Sequence, residues 1–351
     1  LFGSTELYKK FVVTPTRAED AAHHSEEYKQ AGLPGCVGSM DAIHIMLERV
    51  EYCLRQNHLG FKMSHTARTY NITVNHRRRI LATTTGHPAR WNDKTLVLFD
   101  DFVVSLNEGQ NMQDFTFNLY ETNASGNIVM AKYQGPWLIV DNGYLNWPTT
   151  VPPIKQTCSR QEIRFSQWLE SIRKDVECTF GILKGRFRIL KTGIRLNGQE
   201  AADTIFLTCC ALQNWLVDVD GLDEKWEEGD SSMWEGALGR HDLCDVEEHL
   251  PDAIARLMLP AALRAYDVSG MGIGRGDEIR IHDLPNFADQ QTLRIRQKRL
   301  YEQQDRTRPR IVKDLSLAHF RSKLIQHFDT AFRRNEIVWP GKRNSQLQQR
   351  I

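Results

Sequence analysis

The sequence predicts an α/β fold, and three observations carry that expectation. Short β-branched or alternating runs stand at 36–47, 68–86 and 136–140. Apolar residues recur at steps of three and four over 161–188, and a second apolar segment covers 201–219. Turn residues separate these runs. In CVGSMDAIHIML, Met40, Ala42, His44 and Met46 share one strand face, and Asp41, Ile43, Ile45 and Leu47 share the other. RTYNITVNHRRRILATTTG is a hairpin whose polar turn spans 75–79. Asn92 or Asp93 caps a helix running from about 94 to 106. The apolar strand 136–140 ends on Asp141, with an Asn-Gly turn directly behind it, and NWPTTVPPI is a proline-rich loop. In the long helix, Phe165, Trp168, Leu169, Ile172, Val176, Phe180, Leu183 and Phe187 form the apolar stripe.

Composition bounds the function classes. The chain has 351 residues, 41% hydrophobic and 25% charged, enough apolar material for a sizeable core. No apolar run approaches the ~20 residues that span a bilayer, so no membrane partner is expected. The seven cysteines (36, 53, 158, 178, 209, 210 and 244) include no CxxC pair, which points to reduced thiols rather than a zinc finger or a disulfide framework. The chain begins with Leu, which predicts a start inside a longer protein, and its first residues lack the pattern of a signal peptide. A net charge of +1 hides an asymmetry. Residues 211–250 carry Lys225 and Arg240 against twelve acids, while 301–351 carry eleven Lys or Arg against five acids. The first block reads as an acidic linker or lobe, 216–250, and the second as part of a basic, mainly helical C-terminal region, 251–351. The glycine-dense MGIGRGD lacks the strand-and-helix context of a nucleotide loop.

Three carboxylates occupy structured positions: Asp41 within a strand, Asp141 at the end of another, and Glu177 on the long helix. Such groups converge at the edge of an α/β sheet. Held together they repel, unless a hard divalent cation such as Mg²⁺ neutralises them. Two ions about 3.5–4 Å apart serve phosphoryl transfer. Each acid also has a plainer reading: a buried turn cap for Asp41, an Asn-Gly turn opener for Asp141, and an i,i+4 pair with Arg173 for Glu177. Nine Lys or Arg against four acids in 160–195 include Arg173, Lys184, Arg186 and Arg188, and Arg77, Arg78 and Arg79 stand in the hairpin turn. These basic groups are either a solvated face or contacts to a phosphate backbone.

Four ordered blocks then point to a family. CVGSMDAIHI, ARTYNITVNHRRRILATTTGHPARWND, WLIVDNGYL and SIRKDVECTFGILKGRFRIL resemble the catalytic domain of PIF/Harbinger-type DDE transposases and their domesticated nuclease relatives, over residues 30–215. Ala42 stands where that family commonly has Gly. The resemblance implies a ribonuclease H-like mixed β-sheet flanked by helices, with residues 1–29 a remnant of an upstream helical region. It implies a metal-dependent DNA endonuclease or transposase in which Asp41, Asp141 and Glu177 hold two Mg²⁺ or Mn²⁺ ions. His44, Asp93 and Arg173 fall beside or behind the site, Asp93 being either a helix cap or a site wall. It further implies double-stranded DNA as substrate, a Myb-like DNA-binding partner protein, a homo-oligomer on DNA and a nuclear location. The competing expectation is a domesticated factor that binds DNA or protein and no longer cuts.

Overall fold

A computed structural model of the chain describes residues 2–60, 65–123, 125–155, 159–219, 279–280 and 317–338. The acidic block beyond Val219, the MGIGRGD stretch and most of the basic C-terminal region lie outside the described residues.

Two helices, α1 (Phe2–Phe11) and α2 (Ala18–Gln30), precede strand β1 (Cys36–Met46). A short helix α3 (Arg55–His58) leads to β2 (Ala67–Val74), β3 (Ile80–Thr83) and β4 (His87–Pro88). The hairpin expected over 68–86 is present: β2 and β3 pair antiparallel around the 75–79 turn. The single helix expected over 94–106 is interrupted. It is α4 (Asp93–Leu96), a 3₁₀ turn, and α5 (Asp101–Asn107). The break falls at Asp100, whose buried carboxylate accepts the Val103 N–H at 3.2 Å and the Asn71 side-chain N–H at 3.1 Å. A side chain that caps a new helix start has left the helical conformation itself.

A hairpin, β5 (Thr116–Thr122) and β6 (Ile128–Gln134), is followed by β7 (Trp137–Ile139) and β8 (Thr150–Val151). The proline-rich loop thus contributes an edge strand. Its prolines flank the two paired residues, so no ladder donor is lost. Ser159 caps the long helix α6 (Arg160–Arg186), and Glu162 returns the bond in a capping box. The helix stops at Phe187, after which α7 (Arg188–Thr192) and α8 (Gln199–Val219) complete the region. Strand β9 (Ile279–Arg280) and helix α9 (Leu317–Arg333) follow. Among the described residues no helix is long and apolar enough to cross a membrane.

The principal sheet runs β3-β2-β1-β7-β8, with β4 also on β2. β1 is antiparallel to β2 and parallel to β7, so the sheet is mixed. β5, β6 and β9 form a second small sheet. Gly35 has a positive φ of 84°, and a Cβ there would stand 2.4 Å from the Phe117 ring. Only glycine admits the β5 hairpin this close to the start of β1.

Two buried clusters flank the sheet. One gathers Met40, Val103, Trp137, Phe165 and Ile172, and the other Ile43, Ile72, Val176, Leu183 and Phe206. Helix α8 is tied to β2 by Arg68, which meets Asp203 at 2.6 Å and Gln199 at 3.0 Å. Helix α9 belongs to the first cluster through Phe320, Leu324 and Phe328. Phe328 packs on Phe165 and Trp168, and Asp329 pairs with Arg164 at 3.1 Å. Five cysteines among the described residues are free thiols.

Candidate active site

The seam between the two cores is where the polar residues gather. On β1 the first cluster ends at Met40 and the second begins at Ile43; on α6 the corresponding neighbours are Ile172 and Val176. Asp41 and Arg173 occupy the gaps. The parallel register matches Ser39 with Ile139. Asp141 stands just past the end of β7, close enough to Asp41 for its charge to act on that carboxyl.

Asp41 is about one-fifth exposed. Its Oδ1 accepts the Ala42 N–H at 2.8 Å, and its Oδ2 accepts from Arg173 Nη1 at 2.9 Å. Burial, reinforced by the neighbouring charges of Asp141 and Asp93, pushes its pKa up to about 7 despite Arg173 and the amide. An acid so placed lacks enough positive charge around it. Asp141 accepts the Gly143 N–H at 2.6 Å, so the turn-opening role is real, and the same turn delivers the carboxylate to Asp41.

Asp93 is not the cap of α4. Asn92 fills that position, accepting the Thr95 N–H at 2.9 Å. Asp93 instead lines the site: a Cβ added at Gly143 would lie 2.4 Å from its Oδ2 and 2.9 Å from Asp141 Oδ1. Gly143 is thus the spacer that lets two carboxylates crowd one turn. Gly143→Ala is expected to displace both. A positional error near 1 Å lowers cleavage by about 10²-fold, while thermal unfolding shifts little because short side chains, not backbone, must yield.

Behind the carboxylates lies a group that sequence reading missed. Tyr144 is buried and donates to Asn71 Oδ1 at 2.7 Å, and Asn71 in turn donates to Asp100. Burial and the charges of Asp41, Asp93, Asp141 and Asp100 raise the Tyr144 pKa well above the ordinary phenol range. Burial raises Asp100 to about 6. The only sequence signal was Tyr144 closing the Asp141 turn.

Glu177 reaches the aspartates indirectly. It is half-exposed and takes Arg173 Nη2 at 2.7 Å, so one guanidinium bridges Glu177 and Asp41. Among the described residues, no three His, Cys, Asp or Glu side chains are close enough to hold one ion together. The donor chemistry nevertheless fits a hard cation: Asp41, Asp141, Asp93 and Glu177 offer only oxygen, and the aspartates crowd against one another.

His44 bonds Thr69 across the β1–β2 pair at 2.7 Å, on the strand face opposite Asp41. Lys184 lies seven residues beyond Glu177 on the same side of α6, about 10 Å along the helix. Arg186 bonds Gln213 at 3.1 Å, and Arg188 is exposed at the start of α7. The hairpin turn carries Arg77, Arg78 and Arg79, and its His76 meets Asp175 of α6 at 2.6 Å. Arg77 and Arg79 are already paired. They form ion pairs with Glu27 and Asp218, beyond the N-terminal half of β1, and Arg78 adopts a positive φ between them.

A mixed sheet of this order, wrapped by helices and bearing acids on its central parallel pair, is the ribonuclease H-like architecture of metal-dependent nucleic-acid phosphoryl transfer. Residues 40–214 match the family model of the DDE superfamily endonucleases, and the chain belongs to that family. It is accordingly a DDE-type nuclease/transposase, acting on DNA by transposase-like phosphoryl transfer, with a metal-dependent mechanism of the general family kind. Comparison with curated proteins and with solved structures found no match.

Proposed function

We propose that Asp41 and Asp141 bind a shared divalent ion, Mg²⁺ or Mn²⁺, and that Glu177 completes a second position beside it, for cleavage of double-stranded DNA. The observation that carries this reading is the gathering of Asp141 and Asp93 around Asp41 at the seam, where burial and these two acids hold the Asp41 carboxyl at a pKa of about 7. Bound there, the ions supply charge for activating the attacking oxygen and stabilising the leaving one. The protein does the rest. The Gly143 N–H orients Asp141 and the Ala42 N–H orients Asp41. Tyr144 and Asn71 keep water from the rear of the aspartates. Arg173 and Lys184 offer charge to the phosphate backbone on the α6 side.

The attacking group is water in the first cut. A DNA 3′ hydroxyl in its place joins ends instead. We further propose a homo-oligomer on DNA, a Myb-like partner protein and nuclear residence, all resting on family resemblance. The test is a supercoiled plasmid incubated with the full chain. Nicking with Mn²⁺ or Mg²⁺ and its loss in EDTA is the expected result. Metal-independent DNA retention with no nicking and no ion binding favours the non-cutting factor, a reading supported by Glu177 being joined to Asp41 through Arg173 in place of an ion.

A further inference from the structure

Arg173 makes two ion pairs with one guanidinium. Nη1 is 2.9 Å from Asp41 Oδ2, and Nη2 is 2.7 Å from Glu177 Oε1. The two acids come from different elements, β1 and α6, and Arg173 is itself only about one-fifth exposed. Glu177 contacts Arg173 from one helical turn away, so the fork is braced along the helix while reaching across to the strand.

In this arrangement Asp41 Oδ2 and Glu177 Oε1 both accept from Arg173 instead of facing a shared ion. Oxygens that share one Mg²⁺ each lie about 2.1 Å from it and so about 3 Å from one another. The guanidinium already donates to one oxygen of each acid, so an ion drawing on those oxygens competes with it.

Resting on the metal-site reading above, we infer that Arg173 is a built-in placeholder cation: it bridges Asp41 and Glu177 where an ion would otherwise draw them together, and must swing out before Glu177 can join the ions. The released fork remains on the same helix face, where its planar donors suit a phosphate. Arg173 is therefore a positioning residue in the metal-free protein, and ion entry and backbone capture are two halves of one rearrangement. The divalent ion must displace the arginine, so the apparent affinity is lowered by the fraction of molecules held in the bridged state.

Mn²⁺ titration by calorimetry separates the possibilities, using the full chain without DNA as wild type, Arg173→Gln, Arg173→Lys and Asp41→Asn. Arg173→Gln is expected to bind Mn²⁺ about tenfold more tightly than wild type. Its metal-free melting temperature should fall, and Mn²⁺ should raise that temperature by more than it does in wild type. Arg173→Lys keeps the charge and loses the fork, so it should bind about threefold more tightly. Should Arg173→Gln not fold, the Lys variant decides by the same measure. Unchanged or weaker binding in the folded Arg173 variant, while Asp41→Asn abolishes binding, overturns the placeholder and leaves the metal site standing. Absence of Mn²⁺ binding in every form overturns the metal site and the placeholder with it.

Discussion

Asp41→Asn is expected to abolish Mn²⁺-dependent plasmid nicking, with a rate at least about 10³-fold below wild type. The size of the loss follows from position. Asp41 meets Arg173 on the helix and lies within reach of the charges of Asp141 and Asp93. Asparagine keeps the shape and one acceptor oxygen, but it removes the negative charge that would hold a divalent ion in common with Asp141. The fold should survive, because the β1–β2 ladder on either side of Asp41 is made by backbone groups. Circular dichroism and Mn²⁺ titration on the same preparation separate lost chemistry from lost structure. Cutting at the wild-type rate by a folded, metal-free Asp41→Asn protein would sink the assignment.

The same substitution should have the opposite effect on stability without metal. The Asp41 carboxyl has its pKa raised from 3.8 to about 7 in the fold. A group whose folded pKa lies above its unfolded value favours folding at low pH, and that contribution is lost as pH rises through the folded pKa. Between pH 3.8 and about 7 the folded protein therefore binds more protons than the unfolded chain, and wild-type stability from this group declines over that window. Asparagine does not ionise. Asp41→Asn should be the more stable protein above pH 7 in EDTA, by on the order of 1–3 kcal/mol after allowing for the lost Arg173 pair. The melting-temperature gap should open between about pH 4 and 7 and then stay level. Asp100, raised to about 6, titrates in both proteins and cancels from the difference. Saturating Mn²⁺ should close or reverse the gap, because only the wild type gains binding free energy. A gap that ignores pH would show that Asp41 is not held near neutrality.

How much of this site was legible beforehand depends on the kind of signal. Asp41 announced itself as an acid inside an alternating apolar strand, and Asp141 as an acid between an apolar strand and an Asn-Gly turn. Local patterns of that type survive folding because a strand has a two-residue repeat and a turn has a few permitted residues. The Arg173–Glu177 pair was equally visible as an i,i+4 spacing. What the spacing left open was that the guanidinium also reaches Asp41, 132 positions away in the chain. The Tyr144–Asn71–Asp100 relay left almost no trace, since its members come from three separate elements. The helix predicted across Asp100 failed for a related reason. Propensity favours continuity there, and a buried carboxylate seeking the Val103 and Asn71 donors prevails over it.

By itself the sequence determined the strands at 36–47 and 136–140, the 68–86 hairpin, the long amphipathic helix, the three acids and the family resemblance, because each is written in residues close together or in ordered blocks. Tertiary structure alone decided which charges meet. It brought Asp141 beside Asp41, placed Asp93 beside Gly143 rather than at a cap, sent Arg77 and Arg79 to Glu27 and Asp218, and packed α9 into the first core. The physical reason is range: propensity and periodicity act over a few residues, whereas burial, charge pairing and core packing act between side chains that only the folded sheet brings within a few ångströms.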